Sequence, residues 1–459
     1  MMKLLSPSAV YSKFLIGFLF VVTSANAEDK PFQAMLACHA SADNPGLAVW
    51  LEQSGELVFS GALGVANVRT GDPLSVDDVF QIGSMTKQFT AAAILQLAEE
   101  GDLSLSSKLG DFIPDLPSGY SVLTIESVLN HTAGLPNYNT NSSIRRQWRR
   151  FKPIDEIIAA ITKMPLLTEP GEAYSYSNTG YVLLGKVIEV ASGLTYSDYL
   201  QQHIFAPLGM KHSFMITEGE STDQLVEGYS RAPRNPDSNR SPEVVDRSWI
   251  YAAGAIASTL KDMSRWHQGL NSGNVVSLEN YQRMITKARL NNGETINYGF
   301  GFDVHPISDQ PSYSHQGQVP GFMSWSVYFP EKDLFATIFG NKDSVHPGPA
   351  LLNIIARHLQ LSPAPISSER AAEHTEALIG EYQGADDSVI TVTFENGQLQ
   401  AQSGGGDRRT IVLRENNSFS YECTEDYFEL RERHGEKHLV PVSIYSGEGA
   451  HLVRLEDSQ

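Results

Sequence analysis

The hydrophobic period changes once along this chain. Beyond residue 376, VITVTFENGQLQAQ alternates apolar and polar residues about Asn396-Gly397, and FSYECTEDYFELRER and HLVPVSIY continue in strand-like fashion. Period two sends successive side chains to opposite faces, and Asn-Gly tolerates the positive φ of a tight hairpin, so this end reads as β structure. Upstream the patterns are mixed. Helical spacing runs over 87–100, 154–162 and 181–192, the last stopping at Gly193 as at a C-cap. LAVWLEQSGELVFSGALGVAN predicts a hairpin about Ser54-Gly55, and SWSVYFPEKDLFATIFGN predicts two strands about a turn at 330–333. No βαβ series is visible, so the expected class is α+β, an antiparallel sheet flanked by helices and followed by a small β domain. The break falls in LSPAPISSERAAEHTE, 361–376, where prolines, serines and charges replace the periodic pattern.

At the other end, Lys3 and Lys13 precede the apolar run FLIGFLFVV and then SANA, which reads as a signal peptide cleaved after Ala27. The run is nine residues long, too short to span a bilayer. No cysteine follows the cleavage site, which argues against a lipid anchor there. The expected division is therefore a signal peptide at 1–27, a main domain at 28–362, a linker at 363–376 and a β-rich domain at 377–459. Export places the mature protein in the periplasm or outside the cell.

Losing the two leader lysines moves the formal charge from −19 to −21, which repels phosphate backbones and makes nucleic acid a poor partner. The two cysteines, Cys38 and Cys423, are too few for a zinc cage or a disulfide framework. An oxidising compartment could join them, and two separate buried thiols fit the sequence equally well.

Candidate chemistry begins at QIGSMTKQFTAAAILQL. In a helix starting near Ser84, residues three apart share a face, so the Lys87 amine can reach the Ser84 hydroxyl. Burial and local positive potential lower a lysine pKa, and a neutral amine can accept a serine proton. Serine is also a common N-cap, and S-x-x-K recurs here at Ser258 to Lys261. There Thr259 and Asp262 read as a capping box, which explains the second copy without chemistry. Downstream, EPGEAYSYSNTGY offers Tyr176 as a proton relay and Asn178 as an amide to grip a carbonyl, or else a packed loop aromatic and an Asx turn. SYSHQGQVPGF offers His315-Gln316-Gly317, where glycine permits a close approach to the backbone, or else a solvated histidine in a turn.

In this order the three elements resemble the signature of the serine β-lactamase and penicillin-binding protein superfamily, in its branch of class C β-lactamases, D-aminopeptidases and esterases. LNHTAGLPNY, TEPGEAYSYSNTGYVLLG, APLGM and AAGAIAST strengthen the resemblance, which covers about residues 30 to 360. It implies a β-lactamase/transpeptidase-like fold with a helical subdomain and acyl transfer by Ser84, with Lys87 and Tyr176 moving protons. It further implies Asn178 on the substrate amide, His315 and Gly317 on the binding strand, and an oxyanion site between the N–H groups of Ser84 and Gln318. No metal or cofactor is implied, and the partner is a small-molecule or peptide substrate.

His315 departs from the lysine that β-lactamases and carboxypeptidases of this superfamily usually carry. A histidine near its ordinary pKa of about 6.5 grips a carboxylate poorly above neutral pH and better as the pH falls. The substitution favours esters, amides or peptides read from a D-amino-acid N-terminus over β-lactams and D-Ala-D-Ala peptides. The rival from another class is an inactive module binding cell-wall peptides. An α/β-hydrolase is excluded because no G-x-S-x-G occurs. RRQWRRFK, 145–152, reads first as a solvated helix face and second as a site for anionic polymer or lipid headgroups. SGGGDRR, 403–409, reads as a turn, since no helix pattern follows it.

Overall fold

The computed structural model of the protein describes residues 30–216, 224–232, 235–307, 309–362, 375, 377–395, 398–404, 408–414, 418–421, 423–434, 436–443, 447–449 and 452–455. The predicted leader, Asn396-Gly397, the predicted linker apart from residue 375, and residues 405–407 of SGGGDRR lie outside the described residues.

Six strands form the main sheet: β1 (Leu47–Gln53), β2 (Glu56–Leu63), β3 (Asp303–Val304), β4 (Tyr313–Val319), β5 (Phe322–Phe329) and β6 (Leu334–Gly340). They lie in the order β3-β4-β5-β6-β1-β2, every neighbour antiparallel. Both predicted hairpins are present, the first turning through Ser54 and Gly55 at φ 52 and 78. Alternation explains the near-continuous apolar run of β6. Leu334, Ala336 and Ile338 face one core and Phe335 and Phe339 the other, so a sheet covered on both sides needs apolar residues at every position.

Helices α1 (Lys30–Ala37) and α5 (Gly348–His358) cover one face through Leu36, Leu351 and Ile354. The other face receives α2 (Thr86–Glu100), α3 (Asn178–Ser192) and α4 (Leu260–Asn271), within a helical layer that includes Ile154–Ile161. Helix α2 is buried on almost every side, from Thr86 through Leu95, and Phe89 stacks on Trp266 of α4 at 4.0 Å. A fully buried residue of this size contributes about 1.5–3 kcal/mol, so the helix that carries the S-x-x-K lysine is held by the core itself. Both α2 and α3 end on left-handed glycines, Gly101 at φ 88 and Gly193 at φ 73.

The C-terminal domain is an eight-stranded β-barrel. Strands β7 (Gly380–Gln383), β8 (Val389–Glu395), β9 (Gln398–Ser403), β10 (Arg409–Arg414), β11 (Ser418–Tyr421), β12 (Tyr427–Arg433), β13 (Glu436–Ser443) and β14 (Leu452–Arg454) pair in the order β12-β11-β10-β9-β8-β7-β14-β13, and β12–β13 pairing closes the ring. Among the described residues this ring of eight strands has each member paired on both sides, and a short strand, Gly447–Glu448, adds to β13, which suits a small β domain beside a larger one. Cys38 and Cys423 form a disulfide, with Cα atoms 5.3 Å apart, that ties the α1 region to the barrel. Beside it Glu425 is buried between two guanidiniums, Arg357 of α5 at 2.7 Å and Arg414 of the barrel at 3.0 Å. Asn353 of α5 accepts from the Glu425 N–H and donates to the Cys423 carbonyl. A buried carboxylate is tolerated only with such pairing, and here the pairing joins the two parts of the chain.

The expectation for 145–152 holds for exposure and is corrected for the helix: Arg145, Arg146, Arg149 and Arg150 are exposed, but the local helix, Ser142–Arg145, stops where the arginine run begins, and Trp148 turns inward.

Candidate active site

The approach to Ser84 is shaped by contact with β4. The Ile82 carbonyl accepts from the Ser324 hydroxyl at 2.8 Å and lies so close to Gly317 that a Cβ there would run into it. Gly83 then turns at φ 52, where a Cβ would stand 2.7 Å from the Gln318 nitrogen. These two glycines let the chain lie flat on the strand and deliver Ser84 beside Gln318. Pairing alternates back from the Pro320-Gly321 turn, which aims the Gln318 N–H away from β5 and toward the Ser84 turn. Ser84 itself occupies a 3-10 turn, Gly83–Met85, ahead of α2, and its hydroxyl caps no helix. The N-cap explanation of this serine is therefore set aside.

Lys87 sits one turn further and is fully buried. Its Nζ lies 3.1 Å from the Ser84 hydroxyl, 2.8 Å from Asn178 Oδ1 and 2.8 Å from the Ala253 carbonyl. Burial holds its pKa well below the ordinary lysine range. A neutral amine has two N–H groups and one lone pair. The two carbonyl oxygens can only accept, so they take the N–H groups and leave the lone pair facing the Ser84 O–H.

Asn178 is the first residue of α3, which starts three residues before the predicted helix. The preceding Ser177 hydroxyl donates to the Pro136 carbonyl instead of capping, so Asn178 is free to meet Lys87, and the Asx-turn alternative is not what forms. The Tyr176 ring centroid lies 4.9 Å from Lys87 Nζ. Burial pushes the Tyr176 phenol above the ordinary tyrosine range, only partly offset by its contact with the Ser84 hydroxyl. Tyr176 therefore keeps its proton near neutral pH and is placed as a donor.

His315 is buried on β4, and the solvated-turn alternative is overturned. Its Nδ1 meets the Gln316 carbonyl at 2.6 Å and its Nε2 the Tyr298 hydroxyl at 3.0 Å. A neutral ring satisfies both contacts, with Nδ1–H donating and Nε2 accepting from the phenol. Burial first, and then the Lys87 charge, lower its pKa to about 3. The expected titration near the ordinary histidine pKa is corrected accordingly, because the ring is held out of water, which disfavours its charged form.

Two side chains not singled out from the sequence complete the site. Tyr298 links the loop before β3 to His315, and His131 packs its ring 4.4 Å from Tyr176 and 4.8 Å from Tyr298. His131 Nδ1 accepts from the Ser177 N–H at 3.2 Å, which holds the Tyr176 loop against the ring. Its only signal was its place in LNHTAGLPNY. Asp303, raised to about 6 by burial, adds negative charge near Tyr174 and Tyr176. The second S-x-x-K is structural: Ser258 is buried against Ser213, and the Thr259 hydroxyl caps α4 by accepting from the Asp262 N–H at 3.2 Å. The Asp262 carboxylate serves His212, Ser213 and Arg265 instead of completing the box.

Beyond Gln318, at the Val319 end of β4, a cleft of about 520 Å³ opens.

The family model described as Beta-lactamase matches residues 32–360. The chain is 28% identical over 374 residues to penicillin-binding protein 4* of Bacillus subtilis, covering 77% of this chain and 82% of that protein. It is 29% identical to the D-aminopeptidase of Brucella anthropi over 61% of this chain and 52% of that protein. Among solved structures, the D-amino acid amidase of Ochrobactrum anthropi SV3, complexed with L-phenylalanine amide, superposes with a TM-score of 0.63 at 26% identity, covering 72% of this chain and 99% of that one. The octameric penicillin-binding protein homologue from Pyrococcus abyssi shares the fold over 93% of this chain and 99% of its own, with a TM-score of 0.61 at 24% identity.

Proposed function

The chain belongs to the Beta-lactamase family of serine hydrolases, and we propose that it is an exported member hydrolysing amides or esters through an acyl-Ser84 intermediate, nearer to D-aminopeptidases and esterases than to β-lactamases. The observation that carries this is the environment of Lys87, whose lone pair is left facing the Ser84 hydroxyl. Lys87 takes the Ser84 proton as Oγ attacks the carbonyl carbon. The oxyanion is held by the N–H groups of Ser84 and Gln318, and donors of this kind contribute roughly 3 kcal/mol each. Tyr176 passes its proton to the leaving nitrogen or oxygen and regains one from Lys87. Water, deprotonated by the same groups, then releases the acid from Ser84. Asn178 holds Lys87 through its side-chain oxygen and leaves its amide N–H groups for the substrate carbonyl.

The choice within the family rests on His315. A buried neutral imidazole offers no cation to a substrate carboxylate at that position, which weighs against β-lactams and D-Ala-D-Ala peptides. The assembled contacts of Lys87 weigh against an inactive binding module, which has no need of a buried, poised amine. Export is supported by the predicted leader and by the Cys38–Cys423 disulfide, a bond that persists in oxidising compartments. Among the described residues no helix is long and apolar enough to cross a membrane.

The test is steady-state turnover of D-alanyl-p-nitroanilide and p-nitrophenyl butyrate by residues 28–459, beside the Ser84→Ala variant. Turnover lost in the variant supports the assignment, and the ratio of the two substrates separates peptidase from esterase. Ser84-independent turnover, or turnover confined to a β-lactam, overturns it.

A further inference from the structure

Three arginines from separate segments converge on the cleft beyond Gln318. Arg145 reaches it from the helix at 142–145, and Arg231 and Arg240 from a two-stranded ribbon, Ser230–Ala232 with Asn235–Arg240. Gln318, whose N–H is assigned to the oxyanion, lines the same cleft. Two carboxylates share the space. Glu243 lies 3.6 Å from Arg145 and accepts from the Trp148 indole at 3.4 Å. Asp343 is occupied by the Ser230 hydroxyl and the Gly321 N–H. Arg231 and Arg240 have no carboxylate partner among the described residues, and the Arg240 Nε donates to the Arg231 carbonyl at 2.9 Å, which orients it. Arg145 rests over the Trp148 ring at 4.8 Å. In a chain of net charge −19, this concentration of guanidinium at one mouth of the site is a local reversal of sign.

The direction of the cleft fixes which part of a substrate meets it. Tyr176, the donor to the leaving group, stands on the His315 side, with ring centroids 6.3 Å apart. The leaving group therefore points toward His315, and the acyl portion runs the other way along β4, past Gln318. From this arrangement we infer that the enzyme selects acyl groups carrying a carboxylate, which Arg145, Arg231 and Arg240 bind in this cleft. The planar fork of guanidinium matches a carboxylate with two parallel hydrogen bonds. The cation missing at His315, on the leaving side, thus has a counterpart on the acyl side.

This inference rests on the serine-hydrolase assignment above, and the test separates the two. The substrates are the mono-4-nitrophenyl ester of adipic acid and 4-nitrophenyl hexanoate, matched in length and differing in the terminal carboxylate. The expected result is a kcat/KM ratio of about tenfold in favour of the half-acid, falling toward one in an Arg145→Gln, Arg240→Gln double variant and with added salt. A ratio near one in the parent, or one unmoved in the double variant, overturns the inference while leaving the hydrolase intact. If neither ester nor D-alanyl-p-nitroanilide shows Ser84-dependent turnover, the hydrolase assignment fails. Calorimetric titration of the Ser84→Ala protein with adipate still decides the cleft: binding weakened by adding Arg145→Gln and Arg240→Gln supports the inference, and binding that is absent, or equal with and without those two substitutions, refutes it.

Discussion

Tyr298 and His315, 17 residues apart in sequence, meet through a 3.0 Å hydrogen bond between the phenol and Nε2. With Nδ1 committed to the Gln316 carbonyl, the bond fixes one neutral tautomer inside the site. Replacing Tyr298 by Phe leaves the imidazole nitrogen buried and unpaired, a loss of about 1–3 kcal/mol in stability. Denaturant unfolding of Tyr298→Phe beside the parent checks this, and an unchanged midpoint contradicts it.

The same burial has a signed consequence with pH. His315 is lowered to about 3 when folded, from an ordinary 6.5, so the unfolded chain binds the proton more readily between those values. Its stabilising contribution is complete above 6.5 and is lost as the pH falls toward about 3. His131, also held low by burial, acts in the same direction. His315→Gln is expected to lose less stability than the parent between neutral and acid pH, measured as the shift in thermal midpoint. Parallel losses in both proteins count against the assignment.

In the proposed mechanism Lys87 governs the acid limb of activity. Only its neutral form accepts the Ser84 proton, so kcat/KM falls as the pH drops through a Lys87 pKa well below the ordinary lysine value. Lys87→Met is expected to reduce kcat/KM by about 10²- to 10⁴-fold and to abolish that limb. A variant retaining the parent pH profile removes Lys87 from the base role.

The disulfide closes the chain between Cys38 and Cys423, 385 residues apart. Cys38→Ser with Cys423→Ser is expected to lose roughly 2–4 kcal/mol, read first as faster proteolysis between the barrel and the main domain. Glu425 and its two arginines remain to hold the junction, so an additional Glu425→Ala substitution is expected to release the barrel. Equal cleavage rates in all three proteins speak against this coupling.

Features carried by local spacing were legible in the sequence. Ser84 and Lys87 three apart, the hairpins at Ser54-Gly55 and 330–333, and the stop at Gly193 all follow from short-range geometry. Features that depend on tertiary placement were hidden. Helix α3 begins at Asn178 and not at 181 because its first turn, Asn178-Thr179-Gly180, is held by contacts with Lys87 and Pro136 and not by an apolar period. His315 looked titratable because its burial comes from Tyr298 and Tyr176, residues that no local pattern joins to it. The arginine run read as a helix face because nothing local shows Trp148 turning inward and Arg145 reaching the cleft beyond Gln318.

The proposed chemistry turns on a covalent bond at Ser84. Rapid mixing of the protein with p-nitrophenyl butyrate, followed by acid quench and peptide mass mapping, measures it directly. A burst of nitrophenol and a butyryl group on the peptide containing Ser84 are expected, both absent from Ser84→Ala. Turnover with no adduct on that peptide, or an adduct that survives in the variant, contradicts it.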